Sequence, residues 1–178
     1  MYGLRGLYGI PVPDIRRKVF ISYHHKIDQF WFNEFTRLFG SHYQVLYDNS
    51  LDGRIRSDDP EYVNRRIREE HIVGTSITIV LCGPETWKRK YVDWEIYSTL
   101  HHKHALLGVA LPTAQKNSNN QVIVPVRLHG NIVSGYAHWC GWNEAPLMIK
   151  QELEVAILKS SSNTKIKNDT DKMGRNLS

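Results

Sequence analysis

Short apolar segments alternate with longer amphipathic segments along the chain, and this alternation limits the fold more than any single motif does. The segment ITIVL at Ile77–Leu81 has no charged residue, which is typical of a strand that is covered on both faces. By the same criterion the sequence predicts strands at Lys18–Tyr23, Gln44–Tyr47, Ile77–Leu81, Ala105–Leu111 and Gln121–Leu128.

The segments between these strands have helical patterns. Apolar residues recur at helical spacing in Ile27–Phe39, and Gly40 follows as a stop signal. Further helices are predicted at Pro60–Ile72, Glu85–His102 and Pro146–Leu158. Strands that alternate with helices predict an α/β fold, here a flavodoxin-like five-stranded parallel sheet with helices on both faces.

The length of 178 residues fits one folded domain with two different ends. Residues 1–17 contain several glycines and prolines and are predicted to form an irregular N-terminal arm. Residues 18–158 hold every predicted strand and helix. Residues 159–178 are rich in Ser, Asn, Lys and Asp, a composition that predicts a disordered tail.

The net charge of +5 is concentrated at the two ends of the chain, because residues 1–18 and 159–178 each carry +3. The region between them carries −1, which argues against a nucleic-acid-binding face on the fold. No apolar run is long enough to span a membrane, and the N-terminus lacks the apolar core of a secretory signal. With only two cysteines and no metal-ligand spacing, the sequence predicts a cytoplasmic protein without a metal.

Ligands of parallel α/β sheets bind beyond the carboxyl ends of the strands. This rule places the candidate site among the segments Tyr23–Asp28, Asp48–Asp59, Cys82–Trp87 and Pro112–Asn120. No glycine-rich phosphate-binding motif follows the first strand.

Two carboxylates stand out near this edge. Tyr91 and Glu95 are four residues apart and share one face of the predicted helix. Residue type alone favours a solvated, ion-paired Glu95, and Glu85 is explained equally by the dipole at a helix start.

Three segments resemble TIR domains. KVFISYHH resembles the opening strand of these domains, DNSLDGRIRSDDP occupies the place of their BB loop, and ITIVLCGPETWKRKYVDWEI resembles the strand and helix that carry the family glutamate. The family has an aromatic residue, usually Trp, four residues before that Glu; here Tyr91 stands before Glu95. The resemblance extends over residues 18–158 and is closest to the TIR-like proteins of bacterial Thoeris antiphage systems.

This resemblance implies chemistry on NAD+, which would be the substrate, without a separate cofactor. Many bacterial TIR domains cleave the bond between nicotinamide and ribose, and those of Thoeris systems are similar to cyclases that make a cyclic ADP-ribose isomer. That diffusible nucleotide would reach a partner effector, and contacts between copies of the domain are also implied. The alternatives are a non-catalytic scaffold that acts through the BB loop and a nucleoside-processing hydrolase or transferase.

The resemblance also implies the site residues. Glu95 is predicted to be the catalytic carboxylate, Glu85 is its rival, and Tyr91 is predicted to shape the pocket beside the ribose. The other predicted substrate-binding residues are Ser22, Tyr23, His24, His25, Asp48 and Cys82.

Two of these residues, and Trp139 in a predicted loop, also have structural explanations. Ser22 could equally cap a turn, Cys82 fits a small buried hydrophobe, and Trp139 could stack on adenine or cover the sheet edge.

Overall fold

A computed structural model describes residues 17–46, 62, 72 and 74–178. In chain order, its strands and helices are β1 (Lys18–Ser22), α1 (His25–Phe39), β2 (Gln44–Leu46), β3 (Ile77–Cys82), α2 (Lys90–His101), β4 (Ala105–Ala110), α3 (Val126–Val133), β5 (His138–Gly141) and α4 (Pro146–Lys159).

The strands form one parallel sheet in the order β2-β1-β3-β4-β5. This is the strand order of flavodoxin-like doubly wound folds. The central pair is in register over six residues, from Ile77 opposite Ala105 to Cys82 opposite Ala110. The predicted α/β fold with a parallel sheet is therefore confirmed.

Helices cover both faces of the sheet because successive strand side chains point to opposite sides. On one face, Phe35 of α1 and Leu153 of α4 pack in a core with Ile79 of β3. On the other face, Val92 of α2 and Leu128 of α3 pack in a second core, to which Val80 and Leu106 of the sheet also belong.

One predicted strand is wrong. Four of the five predicted strands lie in the sheet, but Gln121–Leu128 does not, because α3 already begins at Val126. Its apolar residues Val122, Ile123 and Val124 line a cavity instead. The strand at that edge of the sheet is β5, which lies in a region whose Gly, Trp and His content predicts a loop.

The predicted helix over Glu85–His102 is interrupted. A short 3₁₀ turn spans Thr86–Lys88, and Arg89 then adopts an extended backbone before α2 begins at Lys90. Glu85 and Glu95 therefore belong to separate elements.

The C-terminal segment 163–178 packs on the protein, although its composition predicts disorder. Asn131 of α3 exchanges two hydrogen bonds with the backbone of Lys167, and Asn168 Nδ2 donates to the carbonyl of Tyr97 on α2. Ile166 adds an apolar contact to the second core. The segment has no large apolar face, and hydrogen bonds to the side chains and backbone of the helices hold it instead.

None of the helices among the described residues is long and apolar enough to cross a membrane.

Candidate functional site

Glu95 lies in the middle of α2 and is only 3% exposed. Val92 and Ile96 anchor the helix in the second core, which brings Glu95 under cover with them. Tyr91, one turn earlier, is partly exposed and contacts the indole of Trp94 edge-on, with ring centres 5.5 Å apart. The solvated carboxylate that residue type alone favours is therefore not what the fold provides.

The turn of α2 that carries Glu95 is tied to the sheet. The Thr99 hydroxyl lies 2.8 Å from the backbone oxygen of Glu95 and 2.6 Å from the hydroxyl of Thr78 on β3. Because buried hydroxyls need a hydrogen-bond partner, the contact between Thr99 and Thr78 fixes the position of α2 along β3.

A buried ion pair joins α2 to α3. Arg127 Nε donates to Asp93 Oδ1 at 3.0 Å, and its Nη2 lies 3.3 Å from Asp93 Oδ2. The same guanidinium donates to the backbone oxygens of Thr170 and Asp171 and to the side chain of Asn168. Arg127 therefore fastens the C-terminal segment to both helices.

The C-terminal segment also bonds directly to α2. Trp94 Nε1 donates to the carbonyl of Met173 at 2.7 Å, and the backbone N–H of Lys90 donates to Asn176 Oδ1 at 2.9 Å. Together with the Arg127 contacts, these bonds hold the outer side of the helix that carries Tyr91 and Glu95.

A second carboxyl group is buried where β1 and β3 end. Asp28, in the first turn of α1, is completely buried, and the Thr86 hydroxyl lies 3.1 Å from its Oδ2. A side chain at Gly83 would collide with this carboxyl, because a Cβ there would lie 2.1 Å from Asp28 Oδ1. Burial raises the pKa of Asp28 to about 6, partly opposed by the hydrogen bond from Thr86.

Glu85 lies at the same edge but in a more open position. Its side chain is 40% exposed, and its carboxylate lies 3.8 Å from Lys88 Nζ and 4.0 Å from His24 Nε2. His24 is buried, and its Nδ1 accepts a long hydrogen bond from Ile27 N at the start of α1. A carboxylate that is screened by solvent and lies beside a lysine stabilises a nearby positive charge less than a buried carboxylate does.

The remaining predicted residues divide between the two faces of the sheet. Cys82 belongs to the core beneath α2, and strand alternation turns Ser22 toward that same face. Burial raises the pKa of the Cys82 thiol, which keeps it protonated. Tyr23 instead stacks on Phe32 of α1 and contacts the ring of His25. Ser22 and Cys82 therefore share a face with Glu95, whereas Tyr23 and His25 do not.

Asp48 and the BB-type loop, with its arginines, lie outside the described residues, as does the N-terminal arm up to residue 16. The predicted helix from Pro60 also lies outside them, except for residues 62 and 72. Their predicted roles stay predictions. In the part of the chain that is described, no group of three or more His, Cys, Asp or Glu side chains is arranged to hold a metal ion.

A cavity of about 650 Å³ lies elsewhere, between residues 116–124, α3 and Trp139 of β5. Neither Glu95 nor Glu85 is among its lining residues. The cavity therefore lies apart from both candidate catalytic carboxylates.

Sequence reasoning did not single out Asp28, although it lies in one of the segments placed at the sheet edge. The signal was its spacing, because Asp28 precedes the buried residues Phe32 and Phe35 by four and seven positions. An acid on the buried stripe of a helix marks a position where function or a network outweighs the cost of burial.

The raised pKa of Asp28 predicts a stability contribution that falls as the pH rises. The ordinary pKa of an Asp carboxyl is 3.8, so between about pH 4 and pH 6 Asp28 is protonated in the folded protein but not in the unfolded chain. This proton stabilises the folded state, and the stabilisation is lost as the pH rises through about 6. The shift of the pKa from 3.8 to about 6 corresponds to roughly 3 kcal/mol of unfolding free energy. Asp28→Asn should remove this dependence, so that its stability relative to wild type increases between pH 4.5 and pH 7.5 in urea unfolding. Two curves that stay parallel over that range would contradict the prediction.

The family comparison agrees with this architecture. The chain matches the family model described as Thoeris protein ThsB, TIR-like domain, over residues 20–116, more than half of its length. No curated protein matches the chain. The matched region runs from β1 through α2 and β4 and includes both Glu85 and Glu95. The chain therefore belongs to the TIR-like domain family of the Thoeris protein ThsB.

Proposed function

We propose that this protein is an NAD+-processing enzyme that releases nicotinamide and makes a cyclic ADP-ribose isomer as a signal in antiphage defence. The observation that carries the proposal is Glu95, a carboxylate that is 3% exposed on a helix whose family match includes it. Tyr91, one helical turn away, supports it as the aromatic neighbour of that carboxylate.

One carboxylate is sufficient for this chemistry because of the leaving group. Nicotinamide in NAD+ is a cationic pyridinium, so the bond from ribose C1′ to its ring nitrogen breaks with the electron pair going to nitrogen. Most glycoside hydrolases need a second carboxyl to protonate a leaving oxygen. Here the remaining requirement is to stabilise the positive charge that develops on the ribose, and we assign that to Glu95.

Burial makes Glu95 a stronger stabiliser than Glu85. The attraction between a carboxylate and a cationic ribose grows as the effective dielectric constant falls. Glu85 is partly solvated, and its ion pair with Lys88 offsets part of its negative charge. We therefore propose Glu95 as the catalytic carboxylate and Tyr91 as a wall of the ribose pocket.

The fate of the ribose cation determines the product. Attack by a nitrogen or oxygen of the same molecule gives a cyclic product, whereas attack by water gives ADP-ribose; each route releases one proton. Cyclisation requires that water be excluded and that the two ends of the dinucleotide be held together. Ser22, sharing the face of the sheet that α2 covers, is proposed to contact the substrate.

The setting of the reaction follows from the same family. We propose that the product diffuses to a partner effector, that copies of the domain contact each other at the site, and that the protein acts in the cytoplasm. Its two cysteines are free thiols, which fits a reducing compartment.

Product analysis tests this proposal. The protein, purified both from resting and from phage-challenged cells, is incubated with NAD+, and the products are separated by mass spectrometry. We expect equal amounts of nicotinamide and of a nucleotide one water lighter than ADP-ribose. ADP-ribose alone would reject the cyclase and leave a hydrolase. Intact NAD+ in both preparations would favour the scaffold, and turnover of free nucleosides alone would favour a nucleoside-processing enzyme.

A further inference from the structure

The cavity of about 650 Å³ beside α3 has the size of a small-molecule site. It is lined by Lys116, Asn117, Asn120, Gln121, Val122, Ile123, Val124, Val126, His129, Ile132 and Trp139. Most of its apolar lining residues are partly buried, whereas all of its polar lining residues are exposed and so form its mouth. Such a lining fits an organic ligand with one flat apolar part and one polar part.

The indole of Trp139 is placed against the cavity by a glycine. Gly108, in the middle of β4, pairs with Trp139 of β5, and a Cβ at Gly108 would lie 2.6 Å from Trp139 Cε3. Any side chain at position 108 would therefore displace the indole. A glycine inside a strand often marks such a close approach. The ring, which packs at the border of the second core, also lines the cavity.

The loop at the mouth is held by its own hydrogen bonds. Asn117 Oδ1 accepts from the backbone N–H groups of Asn119 and Gln121, and Ile123 N donates to the carbonyl of Gln115 at 2.8 Å. An isolated antiparallel bridge joins Lys116 to Val122. The cavity is therefore largely formed before a ligand arrives, which lowers the entropic cost of binding.

The charge at the mouth is positive. Among the described residues that line the cavity, Lys116 has the only permanently charged side chain, and no carboxylate lines it. His129 and Asn120 add exposed polar groups that can donate hydrogen bonds. A ligand that places a ring on Trp139 and an anionic group near Lys116 would satisfy both parts of the lining.

We propose that this cavity is a second ligand site, distinct from the Glu95 region, that binds a planar heteroaromatic ring carrying an anionic group, the chemistry of a nucleotide. Trp139 provides the surface for the ring and Lys116 the charge for the anion. The proposal does not depend on catalysis by Glu95, which does not line the cavity.

Adenosine monophosphate is the probe, and the wild-type protein is used, because this nucleotide has no nicotinamide that the reaction assigned to Glu95 could release. Binding is measured by calorimetry for this nucleotide, for adenosine, which lacks the anion, and for inorganic phosphate, which lacks the ring. We expect the monophosphate to bind at least about tenfold more tightly than adenosine, and phosphate alone to show no binding.

Two exposed valines of α3 provide a matched pair of variants. Val126 lines the cavity and is 76% exposed, whereas Val133, at the other end of the helix, is 72% exposed and does not line it. Val126→Glu should weaken binding of the monophosphate at least about tenfold through charge repulsion, and Val133→Glu should change it less than about twofold. Because both positions face solvent, neither variant is expected to disturb folding.

Equal weakening by the two variants, or no binding of the monophosphate at millimolar concentration, would overturn the proposal. Adenosine that binds as tightly as its monophosphate would overturn the anionic half of it. Failure of the Glu95 assignment would appear only in the turnover assays, so the two proposals can fail separately.

Discussion

Replacing Glu95 with glutamine is expected to lower the rate of nicotinamide release from NAD+ by at least about 100-fold, a typical cost of removing one preorganised electrostatic group. Glutamine retains the size of the side chain and removes its charge. Glu95 is 3% exposed, so bulk water does not screen the interaction that is lost. The measurement is the initial rate of nicotinamide release at saturating NAD+. The variant is prepared and assayed under conditions in which the wild-type protein is active.

Glu85→Gln is the matched control. Its carboxylate is 40% exposed and lies near Lys88, so its loss should change the rate less than about threefold. Thermal unfolding of both variants checks that neither has lost its fold. A Glu95→Gln protein that releases nicotinamide at the wild-type rate would show that the assignment is wrong. An inactive Glu85→Gln protein would instead identify Glu85 as the essential carboxylate.

Arg127→Ala is expected to destabilise the protein by about 3–5 kcal/mol, because it leaves the largely buried Asp93 carboxylate without its partner. The loss goes beyond one ion pair. The guanidinium also donates to the backbone oxygens of Thr170 and Asp171, so the C-terminal segment loses an attachment. Urea unfolding at pH 7 measures the change in unfolding free energy.

Arg175→Ala provides the comparison, because it also removes an arginine side chain, but from an exposed position in the C-terminal segment. A surface substitution of this kind should change stability by less than about 0.5 kcal/mol. Equal effects of the two substitutions would refute the role given to Arg127. Arg127→Lys should recover only part of the loss, since an ammonium cannot reproduce the two-pronged contact with Asp93.

The central strands were predictable from the sequence because they are buried on both faces. Ile77–Cys82 and Ala105–Ala110 are apolar at nearly every position, and burial on both sides of a sheet requires that composition. The edge was not predictable in the same way. The edge strand His138–Gly141 is short and only partly buried. The apolar residues Val122, Ile123 and Val124 line a cavity and do not belong to a strand of the sheet. Composition alone cannot distinguish apolar residues that line a cavity from those of a strand.

Part of the candidate site was also within reach of the sequence. The spacing of Tyr91 and Glu95 placed both on one helix face, and the family resemblance identified the pair. The burial of Glu95 could not be read from its residue type, because it depends on how α2 is held against the sheet. Arg127 was missed for the same reason, since its partners lie 34 to 44 residues away along the chain.

The most direct test of the central claim is mass spectrometry of small molecules from phage-challenged cells that carry either wild-type protein or Glu95→Gln at matched expression. The account predicts that wild-type cells accumulate a nucleotide with the mass of NAD+ less nicotinamide, and that the variant cells lack it. The same nucleotide at the same level in both extracts would contradict the role of Glu95 in making it.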